Sequence, residues 1–514
     1  MYKVEAVTRV SSRASSAHGV RIRRNISMLS LVGCSIEIMN GWVAISSAMV
    51  IGLAQGGTAA ILYGLVFMTA INLFIGSTLG EMASTWPSAG GQYVWAAVLA
   101  PPQHRRLISY FTGFVSFAAW VITAASVFVT VAQYMLALAQ VWHPSYTIEP
   151  YHVFLIYVAL VLMSTFWNCF LVNRLPWFGT FFIYLSLASL VAVIIPCVAR
   201  AQTYQSSSAV WATYTNEIGW NNAFVVVATG LTNPAYCFLG IDSTAHLAED
   251  SLRPARDVPI AMIMGCFTAF FTAFTTAIAL AYTIQDYDGA SSAFVPFLAV
   301  LEQATRSKVG ATVLGVLAAV CFAITGQACH HAVSRLLWSL GVDRGFPFPA
   351  TICAVHPRLR VPVNAILISA VPIILVAILY VASAQAYNAI LASSIILNYI
   401  SLAIPTVFLM LGGRKQLSPG RYFKLGRFGW VANAVLVGWT AFTAAMWLFP
   451  TTPSPTASEM NYAVVVIGIV SVLSLVAWFG YAQRHFQGPT QDDFATAAAV
   501  ELHGAEAKEA GLEN

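Results

Sequence analysis

Of the 20 acidic residues in this 514-residue chain, two fall inside long apolar stretches: Glu37 and Asp242. The other eighteen lie in polar connections, at the ends of apolar stretches or in the terminal segments. A charge at the centre of a bilayer costs about 2.5–3.5 kcal/mol on insertion scales, so it marks a site of use. Each of the two acids neighbours a weakened stretch of helix. Glu37 precedes Asn40, Gly41, Trp42, Val43, Ala44, Ile45, Ser46 and Ser47, and Asp242 ends the run Tyr236, Cys237, Phe238, Leu239, Gly240, Ile241. A broken helix frees backbone groups that lipid cannot satisfy, so it is tolerated where it lines a protein-walled cavity. Matching breaks in two halves of a membrane chain point to a carrier's binding site.

The chemistry expected there is electrostatic capture. The C-terminal end of a half-helix presents carbonyls, which suit a cation, and an N-terminal end presents N–H groups, which suit an anion. Two added carboxylates tilt the site toward an amine or a quaternary ammonium, and either acid could carry a coupling proton. Trp42, Tyr236 and Phe238 offer ring faces for a cation. Ser46 near the first break, with Thr325 and Gln327 in a later span, offers hydrogen bonds between helices. The candidate substrate-binding set is therefore Glu37, Asn40, Gly41, Trp42, Ala44, Ser46, Tyr236, Phe238, Gly240, Asp242, Thr325 and Gln327. Plainer roles compete. Asp242, followed by Ser243 and Thr244, is placed to cap the next helix. Glu37 has the alternative of a neutral buried acid. Trp42 has the alternative of simple packing, and His246 and His330-His331 read more readily as core histidines than as a relay or a metal site.

The elements that must hold these residues are membrane spans. The chain is 58% hydrophobic and 9% charged, with a mean hydropathy of +0.74. Soluble domains carry about 25% charged residues, so this chain cannot dress a water-facing surface. Twelve stretches approach the roughly 20 apolar residues a span needs. They are Ser30–Ala54, Thr58–Met82, Phe111–Leu138, Tyr151–Leu171, Trp177–Val198, Phe224–Leu247, Val258–Ile284, Val309–Leu337, Val363–Tyr380, Tyr387–Leu411, Trp430–Phe449 and Tyr462–Tyr481. Gly326, Gln327 and Pro405 are expected to interrupt the eighth and tenth. With the N-terminus in the cytosol, 22 of the 25 Lys and Arg fall on the cytosolic side. The positive-inside rule therefore puts both termini there.

Spans one to five and six to ten form the two halves, about 30–198 and 224–411, with two further spans at 430–481. Residues 1–29 read as a disordered head, 30–485 as the transporter domain, and 486–514 as an acidic tail. The first span is expected to serve as the targeting signal. The eight cysteines show no CxxC or Cys/His metal spacing and read as packing residues. No cofactor and no nucleic-acid partner is expected. The partners are the bilayer, a small amine or amino acid, and a candidate co-transported proton.

Three stretches carry a family resemblance. Glu81-Met82 through Pro87-Ser88-Ala89-Gly90-Gly91-Gln92-Tyr93 resembles the signature after span two of the amino acid–polyamine–organocation superfamily. Ala248-Glu249-Asp250 with Arg253 through Pro259 resembles its motif after span six, and Ser334 through Trp338 with Asp343 through Pro347 its motif after span eight. Asn40-Gly41-Trp42, Asn461-Tyr462 and Arg427-Phe428-Gly429-Trp430 resemble the fungal branch that carries choline, 4-aminobutyrate and related amines. The resemblance implies an all-α, five-plus-five inverted repeat with broken spans one and six, working by alternating access. It places substrate between spans one, three, six, eight and ten. Relatives hold a substrate carboxylate on small-residue breaks. Trp42, Val43 and Ala44 depart from that pattern and favour a ligand recognised by its cation. Charge pairs among Glu81, Glu249, Arg253, Arg256, Arg335 and Arg344 form a candidate cytosolic gate, with solvated loop charges as the plainer reading.

The function expected is secondary active transport of a small amine, amino acid or choline-like substrate, driven by protons, in the plasma membrane, with a vacuolar or other internal membrane as the alternative. An exporter or compartmentalising carrier of an alkaloid or other nitrogenous secondary metabolite is the alternative, and a non-transporting nutrient sensor a second. The chain shows neither an HExxH motif nor a GxSxG elbow, which argues against an intramembrane enzyme.

Overall fold

The computed structural model describes residues 26–172, 177–382, 386–450, 452–456 and 460–489, with side chains of 249–250 and 379–389 also set aside. The head expected at 1–29 lies almost wholly outside these residues, and so does the tail from 490 onward. All named elements among the described residues are helical. Ten are long and apolar enough to cross a bilayer, the first counted across its break.

The first span is built of α1 (Met28–Ile38), α2 (Gly41–Ser47) and α3 (Met49–Ala54). Then come α4 (Gly57–Thr85), a short α5 (Gln92–Leu99), α6 (Arg105–Trp142), α7 (Pro150–Phe170) and α8 (Phe178–Arg200). The sixth segment is the most broken: α9 (Ala223–Gly230), α10 (Thr232–Tyr236), a run of turns, and a 3₁₀ stretch Ala245–Asp250. After it follow α11 (Pro254–Thr283), α12 (Lys308–Val342), α13 (Val363–Ala382), α14 (Ala386–Gly412), α15 (Phe428–Met446) and α16 (Ala463–Ala477). The segments at the sixth and ninth expected places fall short of a full apolar span. The sixth is interrupted, and the ninth is apolar over Val363–Ile378.

Two sequence expectations change. Gly41–Ser47 is helical; the chain breaks one step earlier, where Asn40 turns with φ −76° and ψ 78°. Gly41 is needed for contact instead: a Cβ there would sit 2.1 Å from the Ala269 carbonyl oxygen of α11. Gly326, Gln327 and Pro405 do not interrupt their helices, since α12 and α14 run through them. Gly326 makes room for the Phe128 ring, 2.7 Å from where a Cβ would lie.

The helices pack as pairs. α4 lies along α11, α6 along α12 and α14, and α7 along α13. Both described chain ends lie on one face, called here the terminal face. Ile26 bridges to Ser251, and the Gln487 amide donates to the Asp343 carbonyl at 3.2 Å. Arg106 donates to the carbonyls of Phe486 and Gln483 at 2.8 and 3.0 Å, which pins the last described turn to the base of α6.

Candidate substrate and proton site

The two breaks cross at the centre of the bundle. Gly240 takes φ +88°, a left-handed conformation that glycine tolerates best. A Cβ there would lie 2.5 Å from Ile38 and 3.1 Å from the Trp120 ring. The absence of a side chain thus lets the sixth segment lean on the end of α1. It also turns Asp242 inward, away from solvent.

Asp242 is fully buried, accepts hydrogen bonds from three neighbouring elements and contacts a histidine of its own segment. Trp120 Nε1 of α6 donates to Oδ2 at 3.0 Å, Asn398 Nδ2 of α14 to Oδ1 at 3.3 Å, and Gln92 of α5 also donates to Oδ2. His246 Nε2 lies 3.3 Å from the same oxygen, and its Nδ1 is 2.8 Å from the Ala89 carbonyl. The Trp120 indole meets the His246 ring edge-on at 5.8 Å. Buried carboxylates persist where such donors replace water. The expected capping role is not what Asp242 does. Its side chain points across the bundle, and the 3₁₀ stretch has Thr244 before it with no side-chain cap.

Glu37 is treated differently. It is 5% exposed, and no described residue hydrogen-bonds or pairs with its carboxyl. Only its backbone carbonyl is held, by Thr325 Oγ1 of α12 at 2.7 Å. Cys329, one turn along α12, lies within electrostatic range of both Glu37 and Asp242. Thr325 and Cys329 thus set the two acids about one helix.

The remaining candidates divide. Tyr236 hydroxyl bonds the Ser126 hydroxyl of α6 at 2.8 Å, and Phe238 is buried at the crossing. Asn40 Oδ1 accepts from Ser186 of α8 at 3.1 Å, while its buried Nδ2 has no partner among the described residues. Trp42 turns its Nε1 to the same Ser186 at 3.0 Å, so its indole anchors the first break to α8. Ala44 is buried, and Ser46 bonds its own helix at the Trp42 carbonyl, 2.7 Å away. Gln327 leaves the group, donating to Asn168 of α7 at 2.8 Å. His330 packs between Ser164 and Ser369 at 3.0 and 3.1 Å, in keeping with a core histidine.

Gln92, Trp120 and Asn398 join the site without having been expected there. Gln92 stands in the Pro87–Tyr93 run that carries the family resemblance, and Asn398 is a mid-span amide; Trp120 carried no signal apart from its aromaticity.

The expected gate pairs are rearranged. Glu81 is buried and takes Arg414 and Arg421, the latter at 2.7 Å, plus the Leu425 amide at 3.1 Å. All three come from the connection after α14, beside the helix end that carries Glu81. Arg253 faces Asp257 at 3.8 Å from a largely exposed position, and Arg256 lies 5.6 Å over the Tyr422 ring. Arg335 is buried in α12, and Arg344 takes φ 59° just past its end. The side chains of Glu249 and Asp250 lie outside the described ones. On the same face, the Tyr93 hydroxyl donates to Asp343 Oδ2 at 2.9 Å and meets Ser339 at 2.7 Å.

Many apolar spanning helices, with two broken segments crossing at buried acids, define a polytopic membrane permease. A family model described as amino acid permease matches residues 26–470, and the chain belongs to that family. It is 34% identical to a choline transporter of Saccharomyces cerevisiae, over 93% of this chain and 85% of the relative. It is 28% identical to a swainsonine transporter of Arthroderma benhamiae, over 91% and 93%. A 7-keto 8-aminopelargonic acid transporter of Saccharomyces cerevisiae is 24% identical, over 92% and 95%.

Proposed function

We propose that this permease is a proton-coupled secondary carrier of a small organic cation of the choline type, working by alternating access. One observation carries the reading: at the crossing of two broken segments, a buried carboxyl, that of Glu37, has no partner among the described residues while its neighbour Asp242 is fully bonded. An unpaired buried carboxyl is costly unless a cation or a proton joins it. A quaternary ammonium needs charge and ring faces more than hydrogen bonds, and Tyr236 and Phe238 stand beside the break. The choline transporter among the relatives supports the same substrate class.

The scaffold is read as twelve spans in a five-plus-five inverted repeat. Support comes from the pairing of counterparts: second with seventh, third with eighth and fourth with ninth. With the basic loops on the terminal face, that face is read as cytosolic, and the plasma membrane is taken as the host membrane. The transporter domain is read as 30–485, between a polar head and an acidic tail. Substrate contacts are assigned to Glu37, Asn40, Tyr236, Phe238, Gly240 and Thr325. Trp42, Ala44 and Ser46 shape the break around them.

Uptake of labelled choline, 4-aminobutyrate and arginine into proteoliposomes tests the reading. Choline uptake that rises with an imposed proton gradient is the expected result; uptake of none of the three would defeat it. The swainsonine transporter relative favours a second reading, export of an alkaloid cation by the same site. Preferential flux from the cytosolic side under the native gradient would select it.

A further inference from the structure

We propose that Asp242 and His246 hold one proton between them, and that its loss releases the Gln92–Tyr93 closure of the terminal face. The proposal rests on the proton-coupled reading above and deepens it, bringing in a histidine beyond the two acids.

The tautomer is set by the backbone. A carbonyl only accepts, so the 2.8 Å contact with Ala89 makes His246 Nδ1 the bearer of a hydrogen. The opposite nitrogen, Nε2, faces Asp242 Oδ2 at 3.3 Å. Without a further proton, that contact sets a bare lone pair against a carboxylate oxygen. With one, it becomes either an imidazolium donating to a carboxylate or a carboxylic acid donating to an imidazole. The pair is neutral in both forms. Removing the proton leaves one net negative charge and two opposed acceptors, where both side chains are 0% exposed.

The groups around the pair leave the proton to these two. α5, α6 and α14 present Gln92, Trp120 and Asn398, neutral donors that neither release nor take a proton at ordinary pH. α12 brings Cys329 within electrostatic range, while its His330 is turned to Ser164 and Ser369. His331 and Arg335 follow on the same helix, each within electrostatic range of the other. On α11, Asp257 faces Arg253. Glu37 of α1 acts on the same Cys329, and Tyr93 of α5 faces Ser339 and Asp343. Of these, His246 is the titratable group bonded to Asp242.

One short run of chain reads the state of the pair. Ala89 holds the histidine and Gln92 holds the aspartate, three residues apart. Gly91, at φ +53°, lies so close that a Cβ would sit 3.3 Å from His246 Cε1. Tyr93, the next residue after Gln92, carries the bonds to Ser339 and Asp343 that close the terminal face. When the proton leaves, Asp242 and His246 repel, and each drags its own anchor in this run. Tyr93 cannot keep both of its bonds while that happens. The proton therefore stays while the terminal face is shut and departs as it opens.

The test needs no substrate. Ser88, half-buried in the same run, is changed to cysteine, with the half-buried native Cys34 and Cys353 replaced by serine. Maleimide labelling of the purified, monodisperse full-length protein is timed at about pH 5.5 and about pH 8, across the interval where histidine changes charge. The ratio of the two rates is compared with that of the same reporter carrying His246→Gln, His246→Asn or Asp242→Asn, which cancels the intrinsic pH dependence of the thiol. The parent ratio is expected to exceed each variant's by roughly tenfold, the factor that one unit of pKa spans. Equal ratios in the parent and in any variant that remains monodisperse would overturn the proposal. A failure of choline to be carried would remove the substrate reading and leave this comparison standing.

Discussion

At the first break an acid sits with its carboxyl unclaimed by any described residue; at the second an acid accepts from Gln92, Trp120 and Asn398 and touches His246. Both are buried, and both border a helix end. The difference lies in what surrounds them. Glu37 ends a half-helix whose neighbours, Thr325 and Ser186, bond backbone or Asn40 and leave the acid alone. Asp242 follows a left-handed glycine that folds it back onto three helices. The first carboxyl is left unclaimed by any described residue, and the second is locked to three helices by its donors.

Removing the locked acid has the largest expected effect. Asp242→Ala strands three buried donors and costs about 3–5 kcal/mol, as for other broken buried charge networks. It is read as a large drop in thermal midpoint and in folded yield. Glu37→Ala strands nothing and leaves the midpoint near that of the parent. Equal losses for the two would erase the distinction drawn between the breaks.

At Glu37, transport and stability separate. Glu37→Gln keeps the shape and removes the charge, and lowers choline transport by about 10–100-fold, the scale of one charged contact of about 1.5–3 kcal/mol. Its thermal midpoint stays unchanged. Gly240→Ala comes next. Strain at a left-handed position costs about 1–3 kcal/mol, and the added methyl meets Ile38 and Trp120. Gly438→Ala is its control, since nothing lies within 4 Å of a Cβ there; melting curves of the pair measure the difference. Thr325→Val loses the bond to the Glu37 carbonyl, worth about 1 kcal/mol, and raises the half-saturating choline concentration severalfold. Smallest is Arg253→Ala, an exposed pair worth at most about 1 kcal/mol, with uptake unchanged.

The two acids and the existence of two breaks were legible because each is expensive in lipid, and an expensive residue persists there mainly where a ligand, an ion or a proton uses it. The spans were legible through length and hydropathy. The position of the first break was not. Gly41 reads as a helix breaker, yet its role is to let α11 approach, and the chain turns at Asn40 instead. Gly326 misled in the same way, since it clears space for Phe128 within a continuous helix. The partners of Asp242 come from residues 92, 120 and 398, and such long-range neighbours leave no local signal. The same holds for Glu81, whose arginines arrive from more than 300 positions away.

The sharpest discriminator is equilibrium dialysis of labelled choline against purified Glu37→Gln, run beside the parent and Thr325→Val. Saturable binding is expected in the parent, weakened binding in Thr325→Val, and at least about tenfold weaker binding in Glu37→Gln at unchanged thermal stability. If Glu37→Gln bound choline as tightly as the parent, the first break would not be the cation's seat.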